Sequence, residues 1–379
     1  MKFGLSTYEQ AIHSNAGEIA RLLNEQQQKR FDHSFCADDW KILAAKGVAG
    51  LLLPAENGGS GSNAMETALT LEGLANGSCD SGFVFSAGAH LLAGLFPLVK
   101  YGTAELHERI FPKINPGEML LANAMTESES GSDAFALKTT AVKTTNGYLL
   151  KGRKTFVTNA PLANGLLVYA LTDAQKGFFG GISCFLLEKE KHDYKVLPLQ
   201  MRSGYRNTVM GEVFFDEITV AADALIGKEG SGAIIFHESM CRERACMALM
   251  HCGTMQRLIR ETALHAKSRT TAKGALADLQ AVQFHLADMS TRAEAARLLA
   301  ARALTEIDSG KDATVAAARA KIFCSEALEF VARTAVKLQG AQGLLQSSDF
   351  ASEALQAAQA AAIYSGPNDV LRDLIAGRS

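Results

Sequence analysis

The sequence predicts an α+β multidomain protein: an N-terminal helical domain (1–119), a small central β-sheet or barrel domain (120–226) and a C-terminal four-helix bundle (227–379). Three observations lead there. Ala, Leu, Glu and Lys dominate the first segment at helical spacing. From about residue 120 the apolar period shortens toward two. After Gly232 the chain returns to helical patterning and keeps it.

In the first segment, EIARLLNEQQQKR (18–30) carries a helical repeat, and the turn cluster ENGGSGSN (56–63) interrupts the pattern. In the second, AVKTT and YLLKG flank Asn146-Gly147, two residues that tolerate positive φ and predict a hairpin turn. GLLVYALT, SCFLLEK and GEVFFDEITV read as further strands, the last partly alternating as a half-buried strand should. In the third, residues 233–268 hold no Pro and a single Gly and predict one long helix. The runs 279–308, 313–339 and 351–364 predict three more, the last stopped by Ser365-Gly366-Pro367.

A chain of 379 residues can bury a large core without disulfide or metal staples. Its 38 basic residues nearly cancel its 40 acidic ones, which argues against coating nucleic acid or an anionic membrane. Catalysis or small-molecule binding is the expected class. The seven cysteines (36, 79, 184, 241, 246, 252 and 324) are odd in number and lack C-x-x-C spacing, as free thiols in a reducing compartment would. Cys241, Cys246 and Cys252 share the long helix, but no histidines complete a zinc ligand set. The N-terminus shows no basic-then-apolar leader, and no apolar stretch is expected to span a membrane. A cytoplasmic location is expected.

Three groups of residues suit chemistry. Glu243 leads, because Phe236, Met240, Met247 and Met250 share with it about 80° of helix arc. A carboxylate in an apolar stripe must be paired or have a raised pKa, and a raised pKa suits a general base. A structural ion pair with Arg242 or Arg244 is the competing reading. The second group, Thr126-Glu127-Ser128-Glu129-Ser130-Gly131-Ser132-Asp133, offers backbone N–H groups and hydroxyls to a flat ring edge or a phosphate, though such loops are often only turns. The third, Phe156-Val157-Thr158-Asn159, ends a strand with residues able to line a planar cofactor. Lys151, Arg153 and Lys154 read as a solvated hairpin face, and the nine histidines as structural residues.

These pieces, in this order, resemble the acyl-CoA dehydrogenase family of flavoproteins. LEGLANGSCDSGFVFSAGAHLLAGLFPLVKYGTAELHERIFPKI resembles the family's fourth and fifth helices. LLANAMTESESGSDAFALKTTA resembles A-x-T-E-P-x-A-G-S-D, and GRKTFVTNAPLAN resembles G-x-K-x-W-I-T-N-A. LQAVQFHLADM and LQGAQG resemble two stretches of the bundle. The resemblance implies the three-domain fold, FAD between the β domain and the bundle, and a homodimer or homotetramer. It implies that Met125, Thr126, Gly131 and Ser132 meet the flavin, that Phe156 and Val157 pack on it, and that Thr158 approaches N5. It further implies that Asp369 contributes to the cofactor site, and that Arg269, Gln280 and the turn Lys337–Gly340–Ala341 reach the FAD of a neighbouring subunit.

The family's commonest base is a Glu in I-Y-E-G-T, where this chain has Ile363-Tyr364-Ser365-Gly366-Pro367. A minority of the family draws the base from the first bundle helix, and Glu243 matches that position. Ser365 with a helix-borne Glu also resembles the subgroup that oxidises prolyl and related thioesters on carrier proteins. Further departures are Ser128 for the motif Pro, Ala272 for an aromatic, and Lys337 for a Gln. The implied activity is FAD-dependent α,β-dehydrogenation of an acyl or aminoacyl thioester held on CoA or a carrier protein. Glu243 and the Ser365 backbone would be catalytic, Met240, Met247 and Arg244 would meet substrate, and an electron-acceptor flavoprotein or oxygen would reoxidise the cofactor. Two alternatives remain: a reduced-flavin monooxygenase of the same fold, and a non-catalytic scaffold with weakened FAD binding.

Overall fold

The computed structural model describes residues 4–27, 35–78, 80–133, 136–200, 204–205, 207–345 and 350–378; Cys79 lies outside them. The N-terminal helices are α1 (Thr7–Gln27), α2 (Ala37–Ala45), α3 (Ala64–Gly77), α4 (Ser81–Tyr101) and α5 (Ala104–Ile114). The turn cluster ends by capping α3: Asn63 Oδ1 accepts from Glu66 N, and the Glu66 carboxylate accepts from Asn63 N. Asp80 caps α4 through Phe83 N at 2.9 Å.

Against the sequence-based expectation, α4 is long and apolar enough to cross a membrane. Ser86 and His90 interrupt the apolar run in the sequence, but most of the helix is buried in the protein. Its middle turn, His90–Leu95, is a π-helix. The His90 ring lies 3.0 Å from the Ala49 carbonyl on one side and accepts from Leu121 N at 3.0 Å on the other.

The central sheet comprises β1 (Leu121–Ala124), β2 (Thr140–Thr144), β3 (Gly147–Thr158), β4 (Gly165–Leu171), β5 (Ile182–Glu188), β6 (Lys195–Leu199), β7 (Met210–Ala221) and β8 (Leu225–Ile226). The order is β6-β7-β3-β2-β4-β5-β8, with β1 parallel to β4. The hairpin forms one residue earlier than predicted. Thr144 pairs with Gly147, so Thr145 and Asn146 make the loop. Gly147 opens β3 at φ 147°, where a Cβ would stand 2.1 Å from the Val220 carbonyl oxygen. β7 alternates in burial as expected over its first half.

The C-terminal helices are α6 (Gly232–Ser268), α7 (Gln280–Asp308), α8 (Thr314–Gln339), α9 (Phe350–Ala361) and α10 (Asn368–Ala376). The fourth predicted helix stops at Ala361, short of residue 364, and the chain turns before re-entering a helix at Asn368. Pro367 sets that second start, since it cannot continue a helix but suits the residue before one.

α3 crosses α6 at a glycine. A Cβ on Gly253 would lie 2.1 Å from the Glu72 carbonyl oxygen. The Glu72 carboxylate, fully buried, accepts from Arg297 Nε at 2.9 Å and from Gln256 Nε2 at 3.2 Å. Gly253→Ala is therefore expected to lose about 1–3 kcal/mol by overpacking. The check is the urea midpoint at unchanged slope. A wild-type midpoint would show that the helices part freely there.

Candidate active site

The predicted apolar stripe on α6 is only part of a wider burial. From Ala245 to Met255 every residue of α6 is buried, because the helix runs through the interior between α3, the other bundle helices and the sheet. Glu243 stands just before this stretch and is itself buried, as are Met240 and Met247, while Phe236 is half-buried. Phe236 meets the buried Tyr169 of β4 edge-on at 5.6 Å, joining this helix face to the sheet.

Opposite Glu243 stands the turn between α9 and α10. Ser365 Oγ donates to Glu243 Oε1. Ser365 adopts left-handed backbone at φ 55°, uncommon for a residue with a Cβ, and Gly366 follows at φ 96°. Two side chains hold this turn. Arg244 Nε donates to the Ser365 carbonyl at 2.8 Å, and Lys321 Nζ donates to the Gly366 carbonyl at 2.8 Å. Among the described residues the Ser365 N–H makes no hydrogen bond, so it is available to a ligand oxygen. Burial pushes the Glu243 carboxyl above its ordinary 4.5, opposed by the Ser365 hydrogen bond and the Arg244 charge. The site thus sets a basic carboxylate on α6 against a turn residue whose backbone donor is free.

Tyr364 orients the same turn from below. Its Oη lies 2.8 Å from His251 Nε2 and 3.4 Å from Tyr205 Oη, and its ring packs on Phe85 at 4.6 Å. Burial, with the Lys321 charge adding, drops His251 to about 3, so this imidazole is neutral. His251 also lines a small cavity with Val84, Tyr205, Met250, Thr254 and Leu328. The sequence reading treated His251 as one structural histidine among nine. Its contact with Tyr364 depends on a pairing of α6 with the α9–α10 turn that spacing does not show.

The second and third predicted groups come together at the end of the sheet. Thr155 N donates to the Thr126 carbonyl at 2.9 Å, which ties β3 to the loop after β1. Lys154 corrects the expected solvated face. Lys151 and Arg153 are exposed, but Lys154 is fully buried. Its Nζ donates to the Met125 carbonyl at 2.9 Å and to Glu127 Oε1 at 2.8 Å. Glu127 also accepts from the backbone of Lys138 (2.7 Å) and Thr139 (3.0 Å). Burial would raise the Glu127 pKa, but Lys154 and these donors hold it below the ordinary carboxylate value. A register shift between Lys154 and Val157 turns the chain over and puts two consecutive residues inward.

That bulge sets Phe156 at φ 53° with its ring 65% exposed, beside a buried Val157 and a half-buried Thr158. Gly131 and Ser132 are exposed on the neighbouring loop, and Ser130 Oγ is buried with no partner among the described residues. A bare aromatic face, a hydroxyl rim and an unsatisfied buried oxygen suit a flat polar heterocycle. This platform connects to Glu243 through α4. Asn159 Nδ2 donates to the Ser86 carbonyl at 3.0 Å, next to the Phe85 that packs on Tyr364.

The remaining predicted residues lie elsewhere. Arg269, Gln280, Lys337, Gly340 and Ala341 are all exposed at the far end of the bundle, where Lys337 Nζ sits 3.3 Å from His285 Nε2. Arg269 follows Glu243 by 26 positions along α6, about 39 Å at the helical rise. Asp369 is exposed and pairs with Arg372 of its own helix at 2.7 Å. Lys321 was missed, although its position among Ala317, Cys324 and Leu328 marks it as facing the core.

Comparison with known proteins agrees with this layout. Three family models match: the acyl-CoA dehydrogenase N-terminal domain over residues 8–118, the middle domain over 122–218 and the C-terminal domain over 230–379. An L-prolyl-[peptidyl-carrier protein] dehydrogenase of Serratia sp. is 34% identical over 378 residues, covering 99% of this chain and 97% of that protein. An acryloyl-CoA reductase (NADH) of Anaerotignum propionicum is 31% identical, covering 99% of this chain and 95% of that protein. Among solved structures, the FAD complex of PigA superposes with a TM-score of 0.95 at 33% identity, covering 100% and 99% of the two chains. The prolyl acyl carrier protein oxidase AnaB does so at 0.93 and 29%, covering 99% of each. With models of all three domains matched in order across its length, the chain belongs to the acyl-CoA dehydrogenase family.

Proposed function

We propose that this protein is an FAD-dependent dehydrogenase that introduces an α,β double bond into a thioester carried on a carrier protein, with a prolyl group as the preferred acyl. The observation that carries this reading is the buried Glu243 carboxylate accepting from the hydroxyl of Ser365, a residue whose backbone N–H is free among the described residues. The α-hydrogen of a thioester is only weakly acidic, so its removal needs a base and a donor for the developing enolate oxygen. Glu243 takes the proton from Cα. The Ser365 N–H donates to the thioester oxygen, a role that needs no carboxylate at position 365. A lost donor of this kind typically costs about 3 kcal/mol of barrier. Met240 and Met247 flank Glu243 one turn either way and wall the acyl group.

FAD fits the platform formed by Phe156, Val157, Thr158 and the Met125–Ser132 loop, whose bare ring and unsatisfied Ser130 hydroxyl call for such a partner. FAD held there would supply the acceptor for the hydride from Cβ. The exposed set at the far end of the bundle, where Arg269 lies about 39 Å along α6 from Glu243, would serve a neighbour's FAD in a homo-oligomer. The Serratia relative's name and the AnaB likeness support the carrier-protein handle and the prolyl group.

The test is anaerobic reduction of the bound flavin by a panel of prolyl carrier protein, acyl carrier proteins and acyl-CoAs. Bleaching is expected to be fastest with prolyl carrier protein. Faster bleaching by an acyl-CoA would overturn the handle but keep the reaction. No bleaching by any thioester would remove the dehydrogenase reading.

A further inference from the structure

We propose that Lys321 is a positioning residue for the reaction, holding the Ser365–Gly366 turn so that the Ser365 hydroxyl reaches Glu243 and the Ser365 N–H faces the substrate oxygen. The inference rests on the proposed role of Glu243. Lys321 comes from the first half of α8 and is only 2% exposed. A buried ammonium must be well satisfied to persist. Its Nζ donates to the Gly366 carbonyl at 2.8 Å and to Asn368 Oδ1 at 2.9 Å. Asn368 is fixed in turn by Ser325 Oγ, which its Nδ2 meets at 3.0 Å, and by its own N–H donating to the Ala362 carbonyl at 3.0 Å. The lysine therefore spans the turn from Gly366 to the first residue of α10.

The turn needs such a brace. Left-handed backbone at a serine is strained and persists only where its surroundings over-determine it. Arg244 and Lys321 anchor two consecutive carbonyls, those of Ser365 and Gly366, from two different helices. With both carbonyls held, the peptide planes on either side of Gly366 are fixed, and Ser365 is pinned on its C-terminal side. Arg244 alone would leave the Gly366–Pro367 plane free to rotate, and with it the seating of the turn against α8 and α10.

Burial, with Arg244 nearby, lowers Lys321 to about 7. The groups facing it are Arg244 on α6, Glu326 on its own helix and His251 on α6. Those coupled to Glu243 are Arg244, Tyr169, Tyr364 and Cys246. The Ser365 hydrogen bond lowers the Glu243 pKa, so a loosened turn must let it rise further.

Lys321→Met in the holoenzyme is expected to slow flavin bleaching by prolyl carrier protein roughly tenfold to a hundredfold. It should also move the acid limb of the rate–pH profile upward, which a merely stabilising residue would not do. Lys321→Gln, which retains a neutral N–H donor, should fold even where the Met variant does not, and should shift the limb less. An unmoved acid limb with a wild-type rate in a folded, FAD-loaded Lys321→Met, or in a Lys321→Gln where the Met variant does not fold, would overturn the proposal. Bleaching that survives Glu243→Gln would instead refute the underlying assignment of the base, so the two failures are distinguishable.

Discussion

Glu243→Gln should yield a folded, yellow protein whose flavin is reduced by substrate roughly 100- to 10,000-fold more slowly, the range expected for removing a general base. Gln is isosteric and can still accept from Ser365 Oγ, so the turn and the cofactor platform should survive. Two further signs make the test specific. Glu243 must be ionised to accept a proton, and burial raises its pKa above 4.5. The wild-type rate should therefore fall with decreasing pH along a limb placed above the ordinary carboxylate range, and that limb should vanish in the Gln variant. The stability effect runs the other way. A carboxyl whose folded pKa exceeds its unfolded value binds more protons in the fold, so its ionisation weakens the fold as pH rises through that window. Replacing it by Gln should thus raise the melting temperature at neutral pH while activity is lost. Stopped-flow bleaching and calorimetry on one preparation check both. A variant with a wild-type bleaching rate would take Glu243 out of the mechanism.

Lys154→Met is the second large effect. The Lys154–Glu127 pair is buried on both sides, and removing one partner leaves an uncompensated charge, which typically costs about 3–5 kcal/mol. The damage should also be local. Lys154 holds the Met125 carbonyl and the Glu127 carboxylate, so the loop proposed to face the flavin loses the anchor that ties it to β3. FAD should bind more weakly, read by cofactor release on dilution, and the denaturation midpoint should fall. Adding Glu127→Gln removes the stranded carboxylate and should recover part of the stability but little of the cofactor affinity. A single variant that costs less than about 1 kcal/mol would mean that water reaches the pair.

The residues that were legible in the sequence share a property: their neighbours are close in the chain. Glu243 stood out because Met240 and Met247 lie one turn away, and the hairpin because Asn146 and Gly147 adjoin two apolar runs. Even there the turn slid by one residue, since Gly147 alone needs positive φ and β3 begins with it. What was illegible depends on long-range pairing. Lys154 follows two exposed basic residues, Lys151 and Arg153, and only the bulge at Phe156 turns it inward, to a carboxylate 27 residues back. Lys321 meets Gly366 across 45 residues of chain. The span-like α4 is buried because other elements enclose it, and nothing in its own composition announces that. Ser365 was legible only as a departure from a motif. Its link to Glu243 crosses 122 residues and required the turn to be seen.

The π turn at His90–Leu95 has a consequence for sequence change. It accommodates one residue more than an α-helical turn, so the two halves of α4 are out of phase by about 100°. Phe85, which stacks on Tyr205, and Arg242's partner Phe96 therefore face directions that an unbroken α-helix would not allow. Losing a single residue anywhere in 90–95 would let the helix regularise and swing everything downstream, up to Tyr101, onto a new azimuth. Substitutions in this stretch should be far better tolerated than deletions, and the length of α4 is the quantity under constraint.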